Sequence, residues 1–192
     1  WQARDGLRLG MSEAARYHAD GWSPLYAVGI IPYTLVQRVE AQDEPDSGAT
    51  LRNNVMFSTD VSGRVMPGLR AYGEFLVDDL HAKSASIPNK LAYQLGLEGA
   101  HLVGGSRATW GLEYTRLSRY VYTSFFGESF ATQDEPLGFP TGPGAGHLRL
   151  KGALDLNTDW QVLARAALTS QGELGLNDPY VPGTPYGPAF KL

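Results

Sequence analysis

Charged side chains recur at alternate positions in several stretches of the chain, and they are the residues that could do chemistry. Four carboxylates could serve as general acid and base in glycoside hydrolysis if two of them lay about 5 to 9 Å apart across a cleft: Glu74, Asp78, Glu98 and Glu113. Cations occupy equivalent positions: Arg70, Arg149, Lys151 and Arg165. Because carboxylates on strands usually pair with such neighbours, the pattern favours structural ion pairs and predicts that the chain is not an enzyme.

Metal and cofactor chemistry has little support in the sequence. The chain has no cysteine, which excludes disulfides and thiolate metal sites. The histidines lack the spacing of a metal site: His18, His81, His101 and His147. The glycine-rich pieces do not fit phosphate-binding loops, and no serine lies in a nucleophile elbow. We therefore expect no metal and no cofactor.

An aromatic segment rich in glycine and proline, RYVYTSFFGESFATQDEPLGFPTGPGAG, runs from Arg119 to Gly146. Sugar binding requires aromatic faces for C–H surfaces and planar polar groups for hydroxyls, and this segment offers both. The candidate saccharide-binding residues are Arg116, Arg119, Tyr120, Tyr122, Phe126 and Glu128. The same aromatic residues could instead form a small core of the loop, a membrane girdle, or a gate.

The stretch from Leu69 to Asp79, LRAYGEFLVDD, alternates between two chemically different sets of side chains. Side chains in a strand alternate between faces, so this segment predicts a strand with one apolar and one polar face. The same alternation predicts three hairpins. Their paired segments are 54–62 with 69–79, 90–99 with 107–117, and 147–155 with 160–169.

The remaining segments are predicted to be turns, loops and one helical piece. Residues 25–39 lack the two-residue period, and Pro24 is suited to the first turn of a helix, so we expect a short helix or plug-like insertion there. The net charge of −4 excludes a strongly basic nucleic-acid groove. We treat residues 1–192 as a single domain, all-β and antiparallel, with strands connected in up-and-down order.

Two architectures produce this alternation, and they differ in what covers the apolar face. A soluble sandwich buries it against a second sheet, whereas an outer-membrane barrel exposes it to lipid. The predicted strands of about 9 to 11 residues suit a bilayer crossing better than a soluble sheet. In the barrel, the polar face would line the lumen with Arg70, Glu74, Asp78, Glu98, Glu113, Arg149, Lys151 and Arg165.

Several blocks of the sequence resemble the capsule-assembly Wzi family of outer-membrane proteins. They are AYGEFLVDDL, PNKLAYQLGLEGA, WGLEYTRLSRYVYT and PLGFPTGPGAGHLRL, and they occur in the order and spacing of that family. Paired aspartates Asp78 and Asp79 close one strand, and Glu113 to Arg116 forms an EYTR box. The chain departs from the family at Gly144-Ala145-Gly146, where an acidic residue often follows the Gly-Pro pair.

The resemblance implies a large antiparallel transmembrane barrel in the outer membrane of a Gram-negative cell, of which this chain would be a fragment. It implies capsule or other surface-polysaccharide assembly and attachment by non-catalytic carbohydrate binding. The partners would be surface polysaccharide and outer-membrane lipid, not nucleic acid; the oligomeric state stays open. Two alternatives remain: a porin-like outer-membrane channel and a soluble carbohydrate-active β-sandwich.

Overall fold

The computed structural model describes residues 2–4, 6–17, 24–36, 39, 53–80, 89–124, 129–172 and 176, and one antiparallel sheet dominates them. Its strands are β1 (Gln2–Arg4), β2 (Leu7–Arg16), β3 (Asn54–Met66), β4 (Leu69–Asp79), β5 (Lys90–Val103), β6 (Ser106–Leu117), β9 (Ala145–Asp155) and β10 (Gln161–Gln171). A two-stranded ribbon of β7 (Ala131–Thr132) and β8 (Glu135–Pro136) lies in the connection between β6 and β9.

The strands of the large sheet follow chain order, β1-β2-β3-β4-β5-β6-β9-β10, and every adjacent pair is antiparallel. Within the described part of the chain, β1 pairs only with β2 and β10 only with β9. The predicted antiparallel, up-and-down, all-β architecture is therefore confirmed. The sheet is open and is not closed into a barrel.

The three predicted hairpins all form, with boundaries that differ at their ends. The strand predicted over 54–62 extends to Met66, and the strand predicted over 90–99 extends to Val103. β9 starts at Ala145, two residues before the predicted start. Trp160 belongs to the turn before β10, where its carbonyl accepts a hydrogen bond from Leu156 N at 2.9 Å.

The two ends of the sheet differ in the length of their connections. Short turns join β3 to β4, β5 to β6 and β9 to β10, at residues 67–68, 104–105 and 156–160. Longer connections join β2 to β3, β4 to β5 and β6 to β9 at the opposite end. We call these the turn end and the loop end of the sheet.

Two turn glycines allow a matched test of hairpin geometry. Gly68 (φ 79°) and Gly104 (φ 59°) both have left-handed backbones, which cost a residue with a side chain about 1–2 kcal/mol. A Cβ on Gly68 would also lie 2.4 Å from Ala100 O, whereas a Cβ on Gly104 meets nothing within 4 Å. We expect Gly68→Ala to lower the unfolding temperature clearly more than Gly104→Ala. Equal losses would show that the backbone contact at Gly68 is unimportant.

One face of the sheet is apolar across seven strands, and much of it is exposed. Residues that are direct partners across strands share a face, so the register connects Met11, Thr59, Phe75 and Tyr93 in one row. Met11 is 74% exposed, Leu95 57% and Leu168 71%. Other exposed members are Leu9, Val61, Phe75, Leu97, Leu112, Tyr114, Leu148, Leu150 and Val162. We call this set the apolar face.

The opposite face, which we call the polar face, carries charged side chains toward the turn end and apolar side chains at the loop end. At the loop end it is apolar: Met56, Ala92, Leu117 and Ala145 are buried there beneath the connection between β6 and β9. The core is completed by buried Val121 and Tyr122 and by partly buried Ala14, Leu76, Phe130 and Phe139. The principal core of the described residues therefore lies between the loop-end third of the polar face and this connection.

The predicted helical insertion near residues 25–39 is present, as α1 (Pro24–Val28) and a helical turn at residues 33–36. Glu13 holds the second turn, because its carboxylate accepts hydrogen bonds from Tyr33 N at 2.7 Å and Thr34 Oγ1 at 3.1 Å. No helix among the described residues is long and apolar enough to cross a membrane.

Candidate functional site on the polar face

The strand register places seven of the eight residues predicted to line a lumen on the polar face. The eighth, Asp78, lies at an irregularity of β4, and its contact with Tyr122 N shows that it points to the same side. Two of the four carboxylates form ion pairs there. Glu98 binds both Arg70, at 3.1 Å, and Lys151, at 2.8 Å, whereas Glu113 binds Arg149 at 2.8 Å. These pairs match the structural role that the sequence favoured for them.

Tyr72 connects β4 to the ion pair on β6. Its direct partner on β5 is Gly96, and the Tyr72 ring occupies the space that a Cβ on Gly96 would need. The Tyr72 hydroxyl thereby reaches over β5 and donates a hydrogen bond to Glu113 Oε2 at 2.6 Å. The absence of a side chain at Gly96 therefore allows a hydrogen bond between β4 and β6 across the central strand.

The described residues of the connection after β6, 118–124 and 129–144, fold back over the loop end of the polar face, and two strand-end residues fix them there. Asp78 Oδ2 accepts a hydrogen bond from Tyr122 N at 2.8 Å. Lys90 is 2% exposed, donates to Thr123 O at 2.6 Å, and forms an ion pair with Asp79 at 3.0 Å. Asp78 and Asp79, which end β4, thus act together with Lys90 to hold the connection.

Further contacts join the same connection to β2 and to itself. Arg16 on β2 donates hydrogen bonds to the carbonyls of Ser129 and Ala131. Tyr122 adopts a left-handed backbone with φ 73°, and Phe139 N donates to its hydroxyl at 3.0 Å. Burial raises the pKa of the Tyr122 phenol above its usual value, so the group stays protonated at neutral pH. These contacts hold the described residues of the connection as a cover over the loop end of the polar face.

A pocket of about 400 Å³ lies between this cover and the sheet, a size in the range of about 300–1,000 Å³ that small ligands use. Its aromatic side comes from Tyr122, Phe130 and Phe139, and its polar side from Ser12, Ser58, Glu74, Gln94 and Thr115. Ser12 and Ser58 share a hydrogen bond of 2.7 Å, and Gln94 donates to Thr115 at 3.1 Å. The pocket combines aromatic rings with a carboxylate, an amide and hydroxyls.

The four described candidates for saccharide binding do not form one site. Tyr120 and Tyr122 are buried in the core, at 5% and 4% exposure, because their segment packs inward against the sheet. Arg116 lies on the apolar face, as the partner of Tyr93, and Arg119 is exposed in the loop. Phe126 and Glu128 lie outside the described residues. Of the four described candidates, Tyr122 alone lines the pocket.

The predicted site left out several pocket residues: Phe130, Phe139 and Gln94, and also Ser12, Ser58 and Thr115. The two phenylalanines belong to the aromatic segment that the sequence singled out, but only the folded path of the chain shows which rings face the sheet. Gln94 lies on a predicted polar face, yet its neighbours there depend on the strand register. The composition of the segment indicated that it is important, but the sequence did not show which of its residues line the pocket.

Comparison with known proteins adds no assignment: no family model, no curated protein and no solved structure matches the chain. Over the residues that the structure describes, no three His, Asp or Glu side chains come close enough together to hold a metal ion. The chemistry of the site must therefore be judged from its own side chains.

Proposed function

We propose that the chain forms part of the wall of an outer-membrane β-barrel, with its apolar face toward lipid and its polar face toward the lumen. The observation that carries this proposal is the exposed apolar face, which extends across seven strands and lies opposite a face that carries charges and the core. A folded soluble monomer rarely exposes apolar patches larger than a few hundred Å².

A soluble sandwich would need a second layer over that face. Among the described residues, the helical segment at 24–36 contacts the apolar face only at its loop-end margin, through Glu13. Phe75, at the centre of the apolar face, is 44% exposed. The main core instead lies on the other face, beneath residues 118–144. The layer that a sandwich requires is thus absent from the described part of the chain, which favours the lipid-facing alternative.

The connections and aromatic residues at the two ends of the sheet also fit the wall of a bacterial outer-membrane barrel. Such barrels have short turns on one side, longer loops on the other, and aromatic residues near both interfaces. Here Trp110 and Trp160 lie toward the turn end, and Tyr93 and Tyr114 toward the loop end. β4, with 11 residues, has the length of a tilted bilayer crossing.

We further propose that the protein takes part, without catalysis, in the attachment of surface polysaccharide. The resemblance to the capsule-assembly family supports this role, and that resemblance stays a prediction. The pocket beneath residues 118–144 adds a physical basis, because aromatic rings beside Glu74 and Gln94 are the groups that bind sugar rings and hydroxyls. A porin-like channel is the second candidate, supported by the charged polar face.

The test is to follow the protein and its glycan in the source cell. We expect the protein in the outer-membrane fraction and surface polysaccharide retained on it after detergent extraction, with Phe139→Ala reducing retention severalfold because the pocket loses an aromatic wall. Leu137→Ala, an exposed loop change beside it, serves as the control. Recovery as a soluble monomer would refute the barrel. Ion conductance in planar bilayers without glycan retention would favour the channel.

A further inference from the structure

Cations are concentrated in one row of the register near the turn end of the polar face. Following direct partners from β3 to β10, this row reads Arg64, Arg70, Glu98, Gly111, Lys151 and Arg165. It therefore holds four cations and one carboxylate across six strands. We call these four cations the cationic row.

The register of the row is electrostatically unfavourable for the isolated sheet. Arg64 lies directly opposite Arg70, and Lys151 directly opposite Arg165. Like charges in such positions destabilise a strand pair. Glu98, the one carboxylate in the row, already binds both Arg70 and Lys151. The side chains of Arg64 and Arg165 have no hydrogen bond or ion pair with any residue that the structure describes.

The cationic row lines a concave surface with a volume of about 940 Å³. Arg8, from the neighbouring row of β2, also lines it, and its guanidinium likewise has no partner among the described residues. Five cations and one carboxylate therefore face the same space, in a chain whose net charge is −4. Neither the folding of the sheet nor the overall composition accounts for this excess of positive charge.

We infer that this concave surface binds the anionic groups of an acidic polysaccharide. Neighbouring strands lie about 4.8 Å apart, so a row from β3 to β10 extends about 24 Å, longer than one small anion can span. A polymer with repeated anionic groups can meet Arg64 and Arg70 at one end and Lys151 and Arg165 at the other. Arginine binds carboxylate and phosphate oxygens in a bidentate manner, so either group satisfies the chemistry.

The choice of a polysaccharide rests on the proposed function, whereas the choice of an anion rests on the charges alone. The pocket beneath residues 118–144 differs in this respect, since Glu74 is the charged residue in its lining. The polar face thus offers a cationic surface at its turn end and an aromatic, acidic pocket at its loop end. We expect the two ends to recognise different parts of one polymer.

The test measures binding of three labelled probes to the detergent-purified protein: an oligogalacturonate for carboxylates, an inorganic polyphosphate for phosphates, and neutral dextran. We expect at least one anionic probe to bind and dextran not to bind at this surface. Arg64→Gln and Arg165→Gln should each weaken binding about fivefold and reduce its dependence on salt, since each removes one exposed charge interaction. Comparison of the two anionic probes identifies the group that is preferred.

Arg107→Gln is the matched control, because Arg107 carries the same charge on the polar face but lies outside this concave surface. The two test variants should keep or raise the unfolding temperature, since they relieve like-charge contacts. Equal binding by all variants, an equal loss in the control, or no binding of either anionic probe would overturn the inference. Because these outcomes concern a protein purified from the outer-membrane fraction, they leave the proposed barrel unaffected.

Discussion

Phe75→Arg should prevent the protein from assembling in the outer membrane. Phe75 lies near the middle of β4, on the apolar face, and is 44% exposed. If that face meets lipid, an arginine there lies near the bilayer centre and costs about 2–4 kcal/mol. The measurement is the amount of folded protein in the outer-membrane fraction, which we expect to fall to near the detection limit.

Glu74→Arg is the matched control, because it introduces the same side chain one residue earlier, on the polar face. Its direct partner on β3 is Asp60, so the new cation faces a carboxylate instead of lipid. We expect this variant to assemble normally, as we do for Glu74→Gln. If both arginine variants assemble equally well, the apolar face does not contact lipid, and another protein layer must cover it.

The alternation of side chains was sufficient to predict the sheet and its two faces. In β4 every second residue from Leu69 to Val77 falls on the apolar face, as its spacing indicated. Pro24 correctly marked the start of α1. These features depend on the local period of the backbone, which a single segment contains. Predictions of hairpins succeeded for the same reason, because glycine and asparagine mark the short turns.

Features that depend on register could not be read from the sequence. The cationic row joins residues from four strands, β3, β4, β9 and β10. A shift of the β3–β4 pair by two residues would keep every side chain on its face yet separate Arg64 from Arg70. The position of the core could not be predicted from the sequence either. Ala92 and Leu117 are apolar residues at polar-face positions, and only the return of the connection after β6 over them turns that end into a buried core.

The structure separates the described saccharide-binding candidates for a related reason. Aromatic content identified the segment after β6 as important, but Tyr120 and Tyr122 turn inward. The left-handed backbone of Tyr122 contributes to this path, and nothing in the local sequence marks it, since glycine is the usual residue there. Long-range contacts, such as that of Asp78 with Tyr122 N, decide which rings are buried.

Lys90→Met should release residues 118–124 from the polar face while leaving the sheet intact. Lys90 is almost fully buried, and it binds Thr123 O and Asp79. Its loss leaves the carbonyl of buried Thr123 without a charged donor, and a hydrogen bond to a charged group contributes about 1.5–3 kcal/mol. Hydrogen exchange at Tyr122 and Thr123 should therefore become much faster.

Arg70→Met provides the comparison, because it breaks an ion pair whose arginine side chain is 51% exposed and which should contribute no more than about 1 kcal/mol. Exchange in residues 118–124 should stay slow in this variant. The difference between the two follows from burial: Lys90 is 2% exposed and donates to Thr123 O beneath the connection, whereas the Arg70 side chain is half exposed. Unchanged protection in Lys90→Met would show that core packing around Val121 alone keeps the connection in place.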